Sequence, residues 1–422
     1  MRVLFVSYAE KTHFLPMVPL AWALRAAGHD VRVASQPELT DVITRAGLTA
    51  VPVGRDHLLW QMVGRILTPR VAAAAPELYQ RTRAGQSPPF DLPTDPCEIT
   101  NDYLQRADIE TAGVARIVNE TMIDDLVAYA RYWRPNLVVW EPSTHAGAIA
   151  AEAVGAAHAR FLWGPDHYSV VREHVLTRLE KAAPGGLTDW LTGAAQRFGV
   201  QFDERLVIGG VTLDQQPPVL RFRGTGRYLA VRHVPYGGVA SVPNWLQRAP
   251  QRPRIALTLG VSATERFDGY RVSVADLLNA LGGVDAEIVA TVSGVDPNAL
   301  PPNVRVVGFA PLHALLSSCS AVIHHGGAGT VACSGLLGLP QMIIPDQGDG
   351  EFVAARLAAH GSALTATPSA TTGTVVAEAA RRLLAEPAVS ERAADLRSEV
   401  LRMPTPTSVV AELEALVASV RS

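Results

Sequence analysis

Two doubly wound α/β domains are predicted for this chain, and three observations predict them. The amino terminus runs as a β-α-β-α-β series, and a second strand series begins at Arg254. Within that second series, residues 321–330 (AVIHHGGAGT) join a short apolar strand to a helix through a glycine-rich turn. Alternating elements of this kind bury a parallel sheet between helices. At 422 residues the chain is too long for one ordinary core, so two domains are expected.

Each element follows from local pattern. Residues 2–7 are mostly apolar with little alternation, as a central parallel strand requires. Residues 18–27 carry helical apolar spacing and stop at Gly28, a residue suited to a helix C-cap. Residues 30–34 read as the next strand, 39–46 as a helix and 49–53 as a third strand. Residues 56–107 break the pattern, and 87–96 (SPPFDLPTDP) are their least regular part. An insertion this long is a functional or mobile segment. A long helix at 111–132, a strand at 136–140, a helix at 145–154 and a strand at 159–163 complete a first domain spanning 1–216.

Residues 217–253, with Pro235, Gly237, Gly238, Pro243, Pro250 and Pro253, are the expected interdomain linker. The second domain covers 254–403, with strands at 254–260, 287–292, 304–307, 321–323 and 341–344. A last helix at 407–420 lies in the closing segment 404–422, after Pro404 and Pro406.

Composition narrows the function. Hydrophobic residues make up 48% and charged residues 18%, a normal globular balance. A net charge of −3 gives no case for nucleic acid or an acidic membrane surface. Lysine occurs only at Lys11 and Lys181, a bias toward arginine that suggests a GC-rich genome. Cys97, Cys319 and Cys333 fit neither a disulfide framework nor a zinc pattern, and a cytoplasmic setting is expected. Residues 306–345 lack any charged side chain, but glycine and proline interrupt them, so no membrane span is expected.

The chemistry concentrates at 321–347. A strand, a glycine-rich turn and a helix start make an anion site, because glycines admit close backbone approach and the first N–H groups point outward. His324 and His325 stand at that turn. The strand at 341–344 then leads to Asp346 and Gln347, whose side chains suit sugar hydroxyls. A phosphate cradle followed by a hydroxyl reader suggests a nucleotide sugar. There is no Asp-x-Asp pair, no Gly-x-x-x-x-Gly-Lys loop, no Gly-x-Gly-x-x-Gly after a strand and no Gly-x-Ser-x-Gly elbow.

HHGGAGT at 324–330, Pro340-Gln341 and Asp346-Gln347 resemble the donor signature of inverting GT-B glycosyltransferases of natural-product pathways. MRVLFVS at 1–7, KTHFLP at 11–16 and VPLAWALRAAGH at 18–29 look like the subgroup that attaches deoxysugars to bacterial polyketides. The resemblance covers essentially the whole chain and implies a GT-B fold, two Rossmann-like domains facing across a cleft, with the final helix crossing back to the first. It implies that His325 contacts the donor diphosphate, with Gly327, Ala328, Gly329 and Thr330 beside it. It places Gly260 and Ser262 against the donor phosphates, Phe309 and Ala310 at the nucleotide base, and Asp346 and Gln347 on the sugar. Helix capping by Asp346 and strand termination by His324 stay open as alternatives. Gly348 stands where many relatives carry a large aromatic.

His13 takes the place of the family's catalytic base, just before a helix start that keeps an imidazole neutral. Glu141 lies where relatives often carry aspartate, and it orients His13, binds the acceptor or holds a loop. Asp166, His167 and His174 follow the strand at 159–163 and are candidates to line the acceptor cleft. The implied donor is a TDP-deoxysugar, with an aminodeoxysugar included, and the implied acceptor is a macrolide or aromatic polyketide. No cofactor and no metal are expected. A haem-less relative of the haem monooxygenases is an implied auxiliary partner, with residues 57–103 as its docking or ordering element. That segment is expected to be poorly ordered alone, and a homodimer stays open. The competing readings are a UDP-sugar transferase for a sterol or lipid, another activity on this fold such as a nucleotide-sugar hydrolase or epimerase, and an idle scaffold subunit.

Overall fold

The computed structural model describes residues 1–93, 96–179 and 183–421. The first sheet is built from β1 (Arg2–Val6), β2 (Asp30–Ser35), β3 (Thr49–Pro52), β4 (Leu137–Trp140), β5 (Ala157–Phe161), β6 (Val211–Asp214) and β7 (Tyr228–Ala230). Its order is β3-β2-β1-β4-β5-β6-β7, and every pair is parallel. The second sheet holds β8 (Arg254–Thr258), β9 (Glu287–Thr291), β10 (Val304–Val306), β11 (Ala321–His324), β12 (Gln341–Ile343) and β13 (Ala363–Thr365). Its order, β10-β9-β8-β11-β12-β13, repeats the same winding. In both sheets the strand order reverses beside the first strand, between β1 and β4 and between β8 and β11. A crevice opens at such a switch point, outside the carboxyl ends of the strands.

Strand alternation supplies the cores. Val3 and Phe5 enter one cluster while Leu4 and Val6 enter the opposite one, each fully buried. Gly147 lets its helix press on β4, since a Cβ there would lie 2.5 Å from the Cβ of Trp140. The last helix, Pro406–Arg421, returns to the first domain and buries Val409, Val410, Leu413 and Val417 in its core. Each such side chain contributes about 1.5–3 kcal/mol.

Several expected boundaries move. Tyr228–Ala230 pairs with β6, so the first sheet extends into the segment read as linker. The helix expected at 111–132 is two helices, Asn101–Asn119 and Ile123–Trp133. The insertion is not irregular throughout. It forms the helices Leu59–Ile66, Pro69–Ala74 and Pro76–Arg83, none with a fully buried residue, while Thr94 and Asp95 lie outside the described residues. These short helices are held by the second domain. Tyr79 donates to Asp268 at 2.6 Å, Arg83 donates to the Tyr270 carbonyl at 3.0 Å, and Trp60 meets Phe267 edge-on at 5.9 Å. Partners so distant in sequence leave no local periodicity to read.

Five histidines give the fold an acid limit. Burial pushes His145, His167, His233 and His325 down to about 4 and His324 down to about 3, from an ordinary value of 6.5. Between those values the unfolded chain binds more protons than the folded one. Stability present above pH 6.5 is therefore lost as pH falls, by up to about 1.4 kcal/mol per pH unit for each histidine. The midpoint of thermal unfolding is expected to drop steeply from pH 7 to pH 5; a flat profile would contradict this.

Candidate functional site

The topology assembles the first half of the site. His13 follows β1 and Glu141 ends β4, the two strands flanking the first switch point. Glu10 caps the short helix Lys11–Phe14 by accepting from the Thr12 N–H. His13 Nδ1 then lies 2.9 Å from Glu141 Oε2. The longer side chain, where relatives often carry aspartate, closes this pair. The Glu141 side chain is fully buried, and that of His13 is 13% exposed. Burial alone would raise the Glu141 carboxyl. The hydrogen bond and charge of His13, the Thr144 hydroxyl and the Ser143 N–H outweigh it and hold the group below its ordinary value. A carboxylate only accepts, so Nδ1 carries the proton and Nε2 is left basic. Trp163 lies over the imidazole at 4.3 Å and Tyr8 meets it edge-on at 5.0 Å.

The second half forms at the other switch point. β11 ends at His324, whose Nε2 faces Gln341 Oε1 at 2.9 Å and whose Nδ1 accepts from Gly326 N–H at 3.0 Å. His324 is therefore a strand-ending structural residue. The His325 ring occupies a slot between two glycines. A Cβ on Gly260 would lie 2.6 Å from its Nε2, and one on Gly327 would lie 2.4 Å away. Gly260 also has φ +72°, the left-handed region where glycine is favoured. His325 Nδ1 is buried without a partner, and burial, opposed by the Thr258 backbone, pushes the ring down to about 4.

The helix Ala328–Leu337 has no side-chain cap bond at its start. Its first-turn N–H groups on Ala328 and Gly329 have no carbonyl within the helix to reach. The Thr330 N–H is different from expectation: it donates to the Gly327 carbonyl at 3.0 Å. Ser262 opens the short helix Ser262–Arg266 beyond Gly260. Phe309 is 64% exposed, so it is no core residue, while the adjacent Ala310 is buried.

The two residues expected to read the sugar stand apart in their surroundings. Asp346 lines a small pocket with Leu259, Tyr270, Arg271, Val272 and Ile344, and its carbonyl accepts from Arg271 at 3.0 Å. Gln347 Nε2 is buried and unpartnered. A second carboxylate near His13, besides Glu141, is that of Asp349, which sequence reading missed. Its Oδ2 is buried without a partner, and a Cβ on Gly164 would meet it at 2.9 Å. Burial pushes this carboxyl up to about 6, opposed by its own backbone N–H and by His13. The turn is set by Gly348, with φ +56°, whose N–H donates to the Ala84 carbonyl of the insertion at 3.2 Å. The signal available in sequence was the glycine on each side of Asp349. Asp349→Asn is expected to cut transfer ten- to hundredfold with TDP affinity retained, from one charge-assisted hydrogen bond of roughly 1.5–3 kcal/mol. Asp346→Asn is expected to cost less; steady-state kinetics with calorimetry separates the two.

The three acceptor-side candidates do not converge. Asp166 is held by Arg160, the Ser169 N–H and the Tyr228 hydroxyl, leaving it a structural cap. His167 packs among Phe90, Phe222 and Phe352, with both nitrogens buried and unpartnered. His174 lies two turns further along the helix His167–Arg178, about 10 Å from His167.

Ion pairs join the two halves. Lys11 Nζ is 2.9 Å from Glu265, and Arg266 is 3.7 Å from Glu10. Among the described residues no group of three or more His, Cys, Asp or Glu could hold a metal ion, and no helix is long and apolar enough to cross a membrane.

Two parallel-sheet domains whose carboxyl edges face each other, one carrying a buried histidine–carboxylate pair and the other a glycine-rich turn at a helix start, define a GT-B glycosyltransferase. Residues 22–260 match the family described as erythromycin biosynthesis protein CIII-like, N-terminal domain, and 275–416 match its C-terminal domain. The chain belongs to this family. It is 42% identical over 436 residues to the 10-deoxymethynolide desosaminyltransferase of Streptomyces venezuelae, covering 100% of this chain and 98% of the relative. It is 43% identical over 438 residues to the TDP-daunosamine transferase DnrS of Streptomyces peucetius, with coverage of 100% and 98%. Among solved structures, glycosyltransferase VinC in complex with dTDP superposes with a TM-score of 0.85 at 38% identity, covering 99% of this chain and 100% of that one.

Proposed function

We propose that this enzyme transfers a deoxysugar from a TDP-sugar to a hydroxyl of a polyketide aglycone, with inversion at the anomeric carbon. The observation that carries the reading is the buried His13–Glu141 pair at 2.9 Å, set opposite the His325 and helix-start cradle. The acceptor hydroxyl gives its proton to His13 Nε2 as its oxygen bonds to the anomeric carbon. The bond from that carbon to the diphosphate breaks, and the electron pair leaves with the diphosphate. Glu141 stabilises the imidazolium that forms. The Ala328 and Gly329 N–H groups and the helix dipole receive the charge growing on the leaving oxygen. Asp349 reads a polar group of the sugar, and exposed Phe309 stacks on the base.

The acid–base steps use side chains alone, so transfer is proposed to be metal-independent and unaffected by chelator. Exposed Leu58, Met62 and Leu78 on the insertion are proposed as the docking face of an auxiliary protein. The decisive experiment incubates the protein with TDP- and UDP-sugars and a panel of polyketide aglycones, and identifies products by mass. A glycosylated aglycone formed from a TDP-deoxysugar supports the reading; transfer only from UDP-sugars to sterols or lipids overturns it.

A further inference from the structure

Near the catalytic pair lies a further cavity in the first domain. It is lined by Pro89, Val171, Val175, Leu187 and Val207, and by Asp108, Thr111, His145, Tyr168 and Arg172. Three of these side chains present a buried polar atom with no hydrogen-bond partner: Thr111 Oγ1, His145 Nε2 and Arg172 Nη1. All three residues are at least nine-tenths buried, with exposures of 9%, 2% and 4%. Buried polar atoms left unpaired are costly, so three around one cavity call for complementary groups there.

The remaining atoms of these side chains are committed, which fixes what each free atom does. His145 Nδ1 faces the Leu206 carbonyl at 3.0 Å, so it carries the proton and Nε2 accepts. Asp108 accepts from the Leu187 N–H at 3.3 Å and from the Ala183 backbone, so its carboxylate is committed to that loop. Arg172 binds Glu204 through Nε and Nη2 at 3.1 and 2.5 Å, and Thr188 at 2.8 Å. Its Nη1 is left as a donor, with Asp108 Oδ1 at 3.7 Å. Thr111 Oγ1 does either. Apolar walls with donors and acceptors at fixed points suit oxygen atoms on a hydrocarbon frame.

The cavity also has an address. Tyr168 is its one lining residue that is only partly buried. The Tyr168 hydroxyl is 3.0 Å from Ser143 Oγ, and the Ser143 N–H donates to Glu141 at 3.1 Å. Phe90 bridges Tyr168 and Trp163, the ring that lies over His13. The cavity therefore lies one side chain away from the base pair.

We propose that this cavity is a specificity pocket that takes one oxygen-bearing substituent of the acceptor, a hydroxyl or ketone remote from the hydroxyl that is glycosylated. It rests on the polyketide reading above. A site built to hydrogen-bond an oxygen rejects an analogue that lacks it, because its own polar groups stay unpaired.

The test uses the full chain, a TDP-deoxysugar and a matched set of anthraquinone-type aglycones, each lacking one ring oxygen. For the wild type, removal of one particular oxygen is expected to lower kcat/KM about tenfold or more. In Thr111→Val, which keeps the side-chain shape, that discrimination is expected to shrink toward unity while TDP affinity holds. The same discrimination in wild type and variant overturns the pocket, as does a wild type indifferent to every oxygen; the cavity then holds structural water alone. Failure of the wild type to glycosylate any aglycone overturns the functional reading instead.

Discussion

His13→Ala is expected to leave TDP affinity intact and to cut transfer by a factor of about 100 or more, as loss of a general base does. The expectation follows from the geometry around Nε2. Glu141 fixes the proton on Nδ1 at 2.9 Å, and the rings of Trp163 and Tyr8 fix the plane. Glu141→Gln is expected to act in the same direction for a different reason. An amide donating to the imidazole favours the tautomer with its proton on Nε2, where no acceptor proton can land. Calorimetry with TDP and single-turnover rates at neutral pH check both variants. Full activity of Glu141→Gln would show that the carboxylate charge has no part in the step.

The second large effect is expected at the donor cradle. His325→Ala removes a ring held between Gly260 and Gly327, and transfer or TDP affinity is expected to fall about ten- to hundredfold. Gly327→Ala probes the same slot from the other side. Its added Cβ would sit 2.4 Å from Nε2, so the ring must leave its place. Both variants should then lose the donor contact without disturbing the His13 pair. Unchanged TDP binding together with unchanged turnover in His325→Ala would remove this residue from the donor site.

Local pattern alone was enough for the winding of both domains. Strands such as Arg2–Val6 and Ala321–His324 are continuous apolar runs, and helices such as Val18–Ala26 end at glycine, so their signals are written in neighbouring residues. The same holds for the turn at 324–330, where close glycines are legible without any distant partner.

The tertiary structure decided what depends on contacts far apart in the chain. It showed that Glu141 reaches His13 despite its extra methylene, across 128 positions. It showed Asp349 near the base and the Asp346 carbonyl accepting from Arg271, in a turn where the Gly348 N–H donates to Ala84. It turned the insertion into helices braced on the second domain, and gathered Asp108, Thr111, His145 and Arg172 around one cavity. Periodicity and caps act over a few residues and can be read from a string. Packing between elements joins residues with no sequence relation, and only the folded chain brings their atoms within reach.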